Sequence, residues 1–223
     1  MKIIAHIYNG FEEKFGIPRQ SNIAPVKSRI VFEKEYRNPD ALRGIEEYSH
    51  LWLIWQFSEA LEEGFRPMVR PPRLGGNRRM GVFATRSPYR PNPIGLSSVK
   101  LVGIEKTEHE GVVLIVEGAD LLSGTPIYDI KPYLAYADSH PDAVGGFADA
   151  VRDYAIDVDF PNELQEKLST EEYDTFLTLL RHDPRPSYKN GDEERVFHLA
   201  FDGVEVDFRE QNGHLLVVDV RRK

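Results

Sequence analysis

Seven short segments rich in β-branched and aromatic residues follow one another through the first 136 residues, and turn residues separate most of them. They span residues 3–8, 26–36, 51–57, 80–85, 97–106, 112–117 and 127–130. One short helix, with Asn38 as its cap and Pro39 in its first turn, is predicted up to Tyr48. Strands without long crossover helices pair in antiparallel fashion, so the pattern predicts an antiparallel barrel or sandwich.

The remainder of the chain has a different character. Residues 137–160 are acidic and contain Gly145-Gly146, which predicts a connecting segment with little regular structure. Ser169 and Glu172 form a capping-box pattern at the start of a helix. Three β-type segments follow at 196–201, 204–209 and 215–220, and Asn212-Gly213 is a hairpin signal. We therefore predict a mainly β chain with three parts: a β-barrel domain at 1–136, a connection at 137–160 and a small α+β domain at 161–223.

The charge of the chain is distributed unevenly. Its net charge is -8, yet residues 64–104 contain eight basic residues and no Asp or Glu. Since charges act over roughly 8 Å at physiological salt, one basic segment can bind an anion although the whole chain is acidic. Pairing of these cations with the chain's own acids, or with a partner subunit, remains the alternative.

Several function classes lack their sequence signals. The chain has no cysteine, no glycine-rich nucleotide loop, no nucleophile elbow and no metal-ligand spacing among its seven histidines. We therefore expect no metal. The first residues lack the apolar stretch of a signal peptide and no run is long enough to span a membrane, so we expect a soluble, cytoplasmic protein without a membrane partner.

The segment 66–77 combines arginine, proline and glycine. Proline stiffens a loop, glycine allows a ligand to approach the backbone, and the guanidinium group matches the geometry of phosphate. This combination indicates an anion-binding loop, although phosphate binding alone does not distinguish an enzyme from a binding protein.

Five motifs resemble the TrmO family of tRNA methyltransferases. They are Arg-Pro-Pro-Arg-Leu-Gly-Gly-Asn at 70–77, Gly-Val-Phe-Ala-Thr-Arg-Ser at 81–87, Arg-Pro-Asn-Pro-Ile-Gly at 90–95, Asp-Ile-Lys-Pro-Tyr at 129–133 and Asp-Pro-Arg-Pro-Ser-Tyr at 183–188. The resemblance covers nearly the whole chain. It implies a homodimeric β-barrel enzyme that uses S-adenosylmethionine to methylate N6 of threonylcarbamoyladenosine at position 37, in the anticodon stem-loop of tRNA.

The resemblance also implies a cofactor site near the subunit interface. Its residues are expected to be Pro18, Arg19, Gln20, Ser58, Glu59, Arg86, Leu96, Gly124, Thr125, Pro126 and Ile127. Ser58 and Glu59 depart from the His-Gln that we associate with these positions. Ser123 stands where an Asp often precedes Gly-Thr-Pro, so any role of that Asp falls to another residue, such as Asp120 or Asp129.

The remaining roles follow from chemistry. A hydrogen-bond acceptor helps an amide-like nitrogen to attack the methyl group, and Asp129 and Tyr188 are the catalytic candidates. Asp129 and Lys131 share a strand face, so a mutual ion pair is the alternative for both. The expected RNA-binding residues are Arg70, Arg73, Arg78, Arg90, Lys131, Arg185 and Lys189. Tyr89, Tyr133 or Tyr188 are candidates for stacking on a base.

Two other functions remain open at this point. A non-catalytic RNA- or anion-binding barrel needs the arginine-rich loop but no cofactor. A methyltransferase with a small-molecule or protein substrate accounts more easily for the acidic net charge.

Overall fold

The computed structural model describes residues 1–71, 78–185 and 193–223. Its strands are β1 (Ala5–Tyr8), β2 (Lys27–Phe32), β3 (His50–Gln56), β4 (Met68–Val69), β5 (Met80–Gly81), β6 (Ile94–Thr107), β7 (Gly111–Glu117), β8 (Thr125–Pro132), β9 (Val158–Asp159), β10 (Phe197–Phe201), β11 (Val204–Gln211) and β12 (His214–Arg222). Its α-helices are α1 (Ala135–Asp138), α2 (Asn162–Gln165) and α3 (Thr170–Arg181).

The largest sheet closes on itself. Its strand order is β1-β2-β7-β6-β3-β8, all neighbours are antiparallel, and β8 pairs back with β1 to make a closed barrel. Side chains alternate along β3, so that Leu51, Leu53 and Trp55 point into the barrel core. Closure leaves no unpaired edge in this sheet.

The second sheet has the order β10-β11-β12-β9 and packs against α3. The capping box of α3 is present, with Ser169 accepting from the Glu172 N–H and the Glu172 carboxylate accepting from the Ser169 N–H. Asn212 and Gly213 both have positive φ, at 51° and 82°, in the turn between β11 and β12. These local predictions are confirmed.

The long connection between β1 and β2 packs away from the barrel interior. Its residues Phe11, Ala24 and Val26 are buried in the hydrophobic core of the second sheet. Phe15 stacks on Phe197, with ring centroids 6.1 Å apart. The second sheet therefore holds a segment that belongs, in sequence, to the barrel part of the chain.

The mainly β prediction is confirmed, and several details of the element predictions are wrong. The strand predicted at 80–85 ends at Gly81, because the N–H of Thr85 turns back to the carbonyl of Val82 in a 3-10 helix, Val82–Ala84. The helix predicted up to Tyr48 is two 3-10 helices, because Gly44 between them has a φ of 88°. Residues expected to be irregular contribute β9, which pairs in parallel with β12.

No helix in the described part of the chain combines the length and the apolar character needed to cross a membrane.

Candidate functional site

One end of the barrel gathers three connections. β1, β3 and β7 end there and β2, β6 and β8 begin there, as the pairs Ile7 with Thr125, Gln56 with Ile94 and Lys27 with Glu117 demonstrate. The connections are residues 9–26, 57–93 and 118–124. Seven of the expected cofactor residues lie in these connections, and the other four lie in the first residues of β6 or β8. The topology thus brings a set that is scattered in sequence to one end of the fold.

The first two connections meet through a direct hydrogen bond. The guanidinium of Arg86 donates to the side-chain oxygen of Gln20. Both residues are exposed, so the pair lies at the surface of this end of the barrel. Glu59, at the start of the connection 57–93, makes an ion pair with Lys14 at 3.5 Å, and Ser58 is the first residue of the same 3-10 turn.

A half-buried carboxylate lies next to this pair. The Oγ of Ser97 donates to Asp120 at 2.6 Å and accepts from the indole N–H of Trp55 at 3.0 Å. Burial raises the pKa of Asp120 above its ordinary value, while the hydrogen bond from Ser97 and the charge of Arg86 oppose the rise. Asp120 is therefore an oriented carboxylate with increased basicity at the end of the barrel that holds Gln20 and Arg86.

The third connection forms a tight turn whose last residues enter β8. The N–H of Gly124 donates to Ile7 at 2.7 Å, and the hydroxyl of Thr125 donates to Leu122 at 2.7 Å. Gly124 has a φ of 83°, and a Cβ built on it meets no protein atom within 4 Å. The backbone here is open to a ligand. Ser123 accepts from the Asn9 N–H at 3.2 Å, so its hydroxyl helps to fix the turn.

Some of the expected cofactor residues have no accessible side chain. Thr125 and Ile127 point into the barrel, at 3% and 0% exposure, and Pro18 is buried. Any contact from Thr125 or Ile127 must come from their backbone. Leu96 is the opposite case, since its side chain is 56% exposed on the outer face of β6.

The first connection contacts the C-terminal part of the chain beside Gln20. Arg19 donates from Nη2 to the backbone carbonyl of Arg185 at 2.9 Å. An added Cβ on Gly16 would lie 2.0 Å from Leu199, and the φ of Gly16 is 94°. These contacts of Gly16 and Arg19 constrain the backbone that leads to Gln20.

The structure does not bring Asp129 together with these residues. Asp129 lies halfway along β8, where it makes an ion pair with Lys131 at 3.0 Å and accepts from the Ile130 N–H at 2.9 Å. It borders a groove that is lined mainly by residues 41–48, which lie in the connection at the opposite end of the barrel. In this chain, Asp129 and Lys131 thus form the mutual pair that was the alternative for both.

Two family models cover most of the chain. The tRNA-methyltransferase O N-terminal domain matches residues 6–139, and the TrmO C-terminal domain matches residues 153–223. The chain belongs to the TrmO family.

Relatives from several organisms agree with this TrmO assignment. A tRNA (adenine(37)-N6)-methyltransferase of Escherichia coli is 44% identical over 197 residues, which cover 85% of this chain and 83% of that protein. A putative S-adenosylmethionine-dependent methyltransferase of Pseudomonas aeruginosa is 39% identical and covers 97% and 95%. The crystal structure of TrmO from P. aeruginosa superimposes with a TM-score of 0.77 at 33% identity, over 99% and 95% of the two chains.

The basic residues of the chain fall into different environments. Arg70 and Arg78 are both exposed; Arg70 follows β4 and Arg78 precedes β5. Because β4 and β5 pair, the two arginines lie on the two arms of one hairpin. Arg90 is turned inward, where its Nη1 donates to the carbonyls of Val82 and Thr85. Arg73, Tyr188 and Lys189 lie outside the described residues.

The expectation that Arg185 binds RNA is wrong for this structure. Its side chain is 1% exposed and is paired with Asp183 at 2.7 Å and with Glu210 at 2.5 Å. Burial lowers the pKa of Arg185, but the two carboxylates outweigh burial and keep its pKa above the ordinary value. A buried guanidinium that two carboxylates neutralise is not available to phosphate.

The described residues contain one trio with the spacing of metal ligands, His198, Glu205 and Asp207. Arg221 already donates to both carboxylates of this trio, at 2.5 Å to Glu205 and at 2.7 Å to Asp207. The trio belongs to an ion-pair network on the second sheet.

Sequence reasoning missed Trp55 and Ser97 and named Asp120 only in passing. Trp55 and Ser97 lie on neighbouring strands, and Asp120 follows a third strand. No local spacing predicts their hydrogen bonds, since the partners are 42 and 23 residues apart. The available signal was a polar residue at a core position, Ser97 between Gly95 and Val99 on the inward face of β6.

Proposed function

We propose that this protein is a tRNA N6-adenosine methyltransferase that acts on the adenosine at position 37 and uses S-adenosylmethionine as the methyl donor. Membership of the TrmO family and the names of the relatives support the reaction. The observation that carries the site is the contact of Gln20 with Arg86 beside the half-buried Asp120.

The residues at this end of the barrel suit the cofactor. The side chains of Gln20 and Arg86 offer hydrogen-bond groups suited to the carboxylate, hydroxyls and adenine of the donor. The open backbone at Gly124 allows a flat group to approach closely. A carboxylate in the same region complements a positively charged sulfonium. Leu96 adds an exposed apolar surface on the adjacent strand.

S-adenosylmethionine, when bound, supplies a methyl group on a sulfonium that is already a good leaving group. The residues of the chain then have to orient the acceptor nitrogen and take up its proton. We assign the proton to Asp120, because burial raises its pKa and Ser97 fixes the orientation of its carboxylate. Trp55 donates to Ser97 and so fixes Ser97 in turn.

Several finer points are proposed on the resemblance alone. They are the threonylcarbamoyl group on the target base, recognition of the anticodon stem-loop, a homodimer and a cytoplasmic location. Arg70 and Arg78 are the described residues best placed to hold the phosphates of the stem-loop, since both are exposed on one hairpin.

The decisive experiment incubates the protein with isotopically labelled S-adenosylmethionine and tRNA that lacks this methyl group, followed by nucleoside mass spectrometry. Label in N6-methylated threonylcarbamoyladenosine is expected. Parallel reactions with tRNA that also lacks the threonylcarbamoyl group test whether that group is required. Label in protein or in small metabolites, with none in tRNA, would refute the proposal.

A pair of variants separates the two aspartates. Asp120→Asn is expected to lower kcat about 100-fold or more, since a positioned base contributes about 10²–10⁴. Asp129→Asn is expected to retain activity, because its carboxylate is paired with Lys131. Calorimetry with S-adenosylmethionine distinguishes a loss of chemistry from a loss of binding. A large loss in Asp129→Asn alone would return the proton-acceptor role to Asp129.

A further inference from the structure

Two aromatic side chains project from the connection 57–93 into solvent. Phe83 is 70% exposed and Phe65 is 52% exposed. Their rings lie side by side, with centroids 6.3 Å apart and an angle of 27° between the planes. Neither ring has the burial that normally stabilises a phenylalanine, so the pair presents flat apolar surface to a partner.

The backbone holds Phe83 in place. The preceding Val82 is 1% exposed, and its N–H donates to Pro67 at 3.0 Å across the base of the hairpin formed by β4 and β5. Arg90 donates to the carbonyls of Val82 and Thr85, at 3.0 Å and 2.8 Å, and its guanidinium carbon lies 5.4 Å from the centre of the Phe83 ring. The ring is therefore presented by a rigid turn, which lowers the entropy cost of binding.

The charge around the pair favours RNA as the partner. Residues 64–104 carry eight basic residues and no acidic ones, and Arg78, Arg79 and Arg86 are exposed. The acidic residue at its border, Glu63, is paired with Arg66 at 2.5 Å, and Arg66 also lies over the Tyr89 ring at 4.2 Å. Exposed aromatic faces among cations are the combination that binds single-stranded RNA, since every base has a face for stacking.

We propose that Phe83, supported by Phe65, is a stacking platform for an unpaired base of the anticodon loop, next to the nucleotide that is methylated. Phe83 lies three residues from Arg86, so their Cα atoms are within roughly 11 Å of each other. A base on this platform therefore lies beside the cofactor end of the barrel. The inference rests on the proposed function, because it takes tRNA as the substrate.

The test compares Phe83→Ala and Phe83→Trp with Tyr136→Ala as the control. Tyr136 is 89% exposed in α1, after β8 has left the opposite end of the barrel. Binding of unmethylated tRNA is measured by fluorescence anisotropy over a series of salt concentrations. Binding of S-adenosylmethionine is measured by calorimetry, and oligomeric state by light scattering.

Phe83→Ala is expected to weaken tRNA binding about 5- to 150-fold, the usual effect of losing one stacked base. The slope against salt stays unchanged, since no phosphate contact is lost. Phe83→Trp and the control Tyr136→Ala are expected to bind tRNA like the wild type. All variants are expected to keep their affinity for S-adenosylmethionine.

Two results would overturn the platform. One is wild-type tRNA affinity in Phe83→Ala. The other is a change of oligomeric state in Phe83→Ala, which would make the surface a contact between copies of this chain. Failure of the proposed function has a separate signature, because wild-type protein would then transfer no methyl group to tRNA.

Discussion

Replacement of Arg185 by methionine tests the placement of a motif arginine in the core rather than on the RNA surface. Methionine keeps much of the length of the side chain and removes the charge. Asp183 and Glu210 lose their cationic partner, and their side chains are only 6% and 13% exposed. Tyr154 still donates to Asp183 at 3.1 Å, which compensates only part of the loss.

The magnitude follows from the burial of these charges. Removal of one partner from a buried ion pair costs about 3–5 kcal/mol, because an uncompensated charge stays in a medium of low polarity. A loss within this range is expected, because both carboxylates are paired with the same cation. For a chain of this size, the loss corresponds to a decrease in Tm of about 6–20 °C.

The assay is urea unfolding followed by circular dichroism, together with tRNA binding measured over a series of salt concentrations. Arg185→Met is expected to lower the free energy of unfolding and to leave the salt slope of tRNA binding unchanged. The matched control is Arg185→Met combined with Asp183→Asn and Glu210→Gln, which removes all three charges and is expected to recover part of the stability. Wild-type stability with a salt slope reduced by about one unit would refute the reasoning, since that result describes an exposed arginine on a phosphate.

Three further predictions concern the loop, the network and the helix cap. Gly16→Ala is expected to raise the KM for S-adenosylmethionine more than it lowers kcat, because a Cβ at this left-handed position collides with Leu199 and displaces Gln20. The control in steady-state kinetics is Gly213→Ala, which lies at a left-handed turn far from Gln20. Gly95→Ala is expected to weaken methyl transfer and to alter tryptophan fluorescence, because its Cβ would lie 2.1 Å from the Trp55 ring that donates to Ser97. Unchanged fluorescence and kcat would contradict a role for the hydrogen bonds that join Trp55, Ser97 and Asp120. The hydrogen bond from Arg222 lowers the pKa of Glu172 to about 2, so this carboxylate contributes stability that is present above pH 4.5 and is lost as the pH falls towards 2. Glu172→Gln is expected to remove this contribution, and equal acid unfolding curves for the variant and the wild type would exclude the contribution.

Part of this fold is predictable from the sequence because the forces are local. Alternating apolar residues predict β3 and its buried face, since side chains of a strand point to opposite sides. The capping box at Ser169 and the turn at Asn212-Gly213 depend on residues within four positions of each other. The same holds for the arginine-rich segment, whose composition identifies it as the basic part of the chain.

The sequence alone also carried the family resemblance, and with it the reaction and the cofactor. Five motifs in the same order supplied that information without any knowledge of their positions in space. The motifs did not indicate which of their residues are exposed.

Only the tertiary structure decided the role of individual charges. Arg70 and Arg185 each lie next to a proline in a motif of the family, yet Arg185 is buried between two carboxylates and Arg70 is exposed. Asp120 and Asp129 also differ in their surroundings, because the fold places Asp120 beside Arg86 and Asp129 away from it. Burial and long-range pairing determine pKa and availability, and both depend on contacts between residues that are distant in sequence.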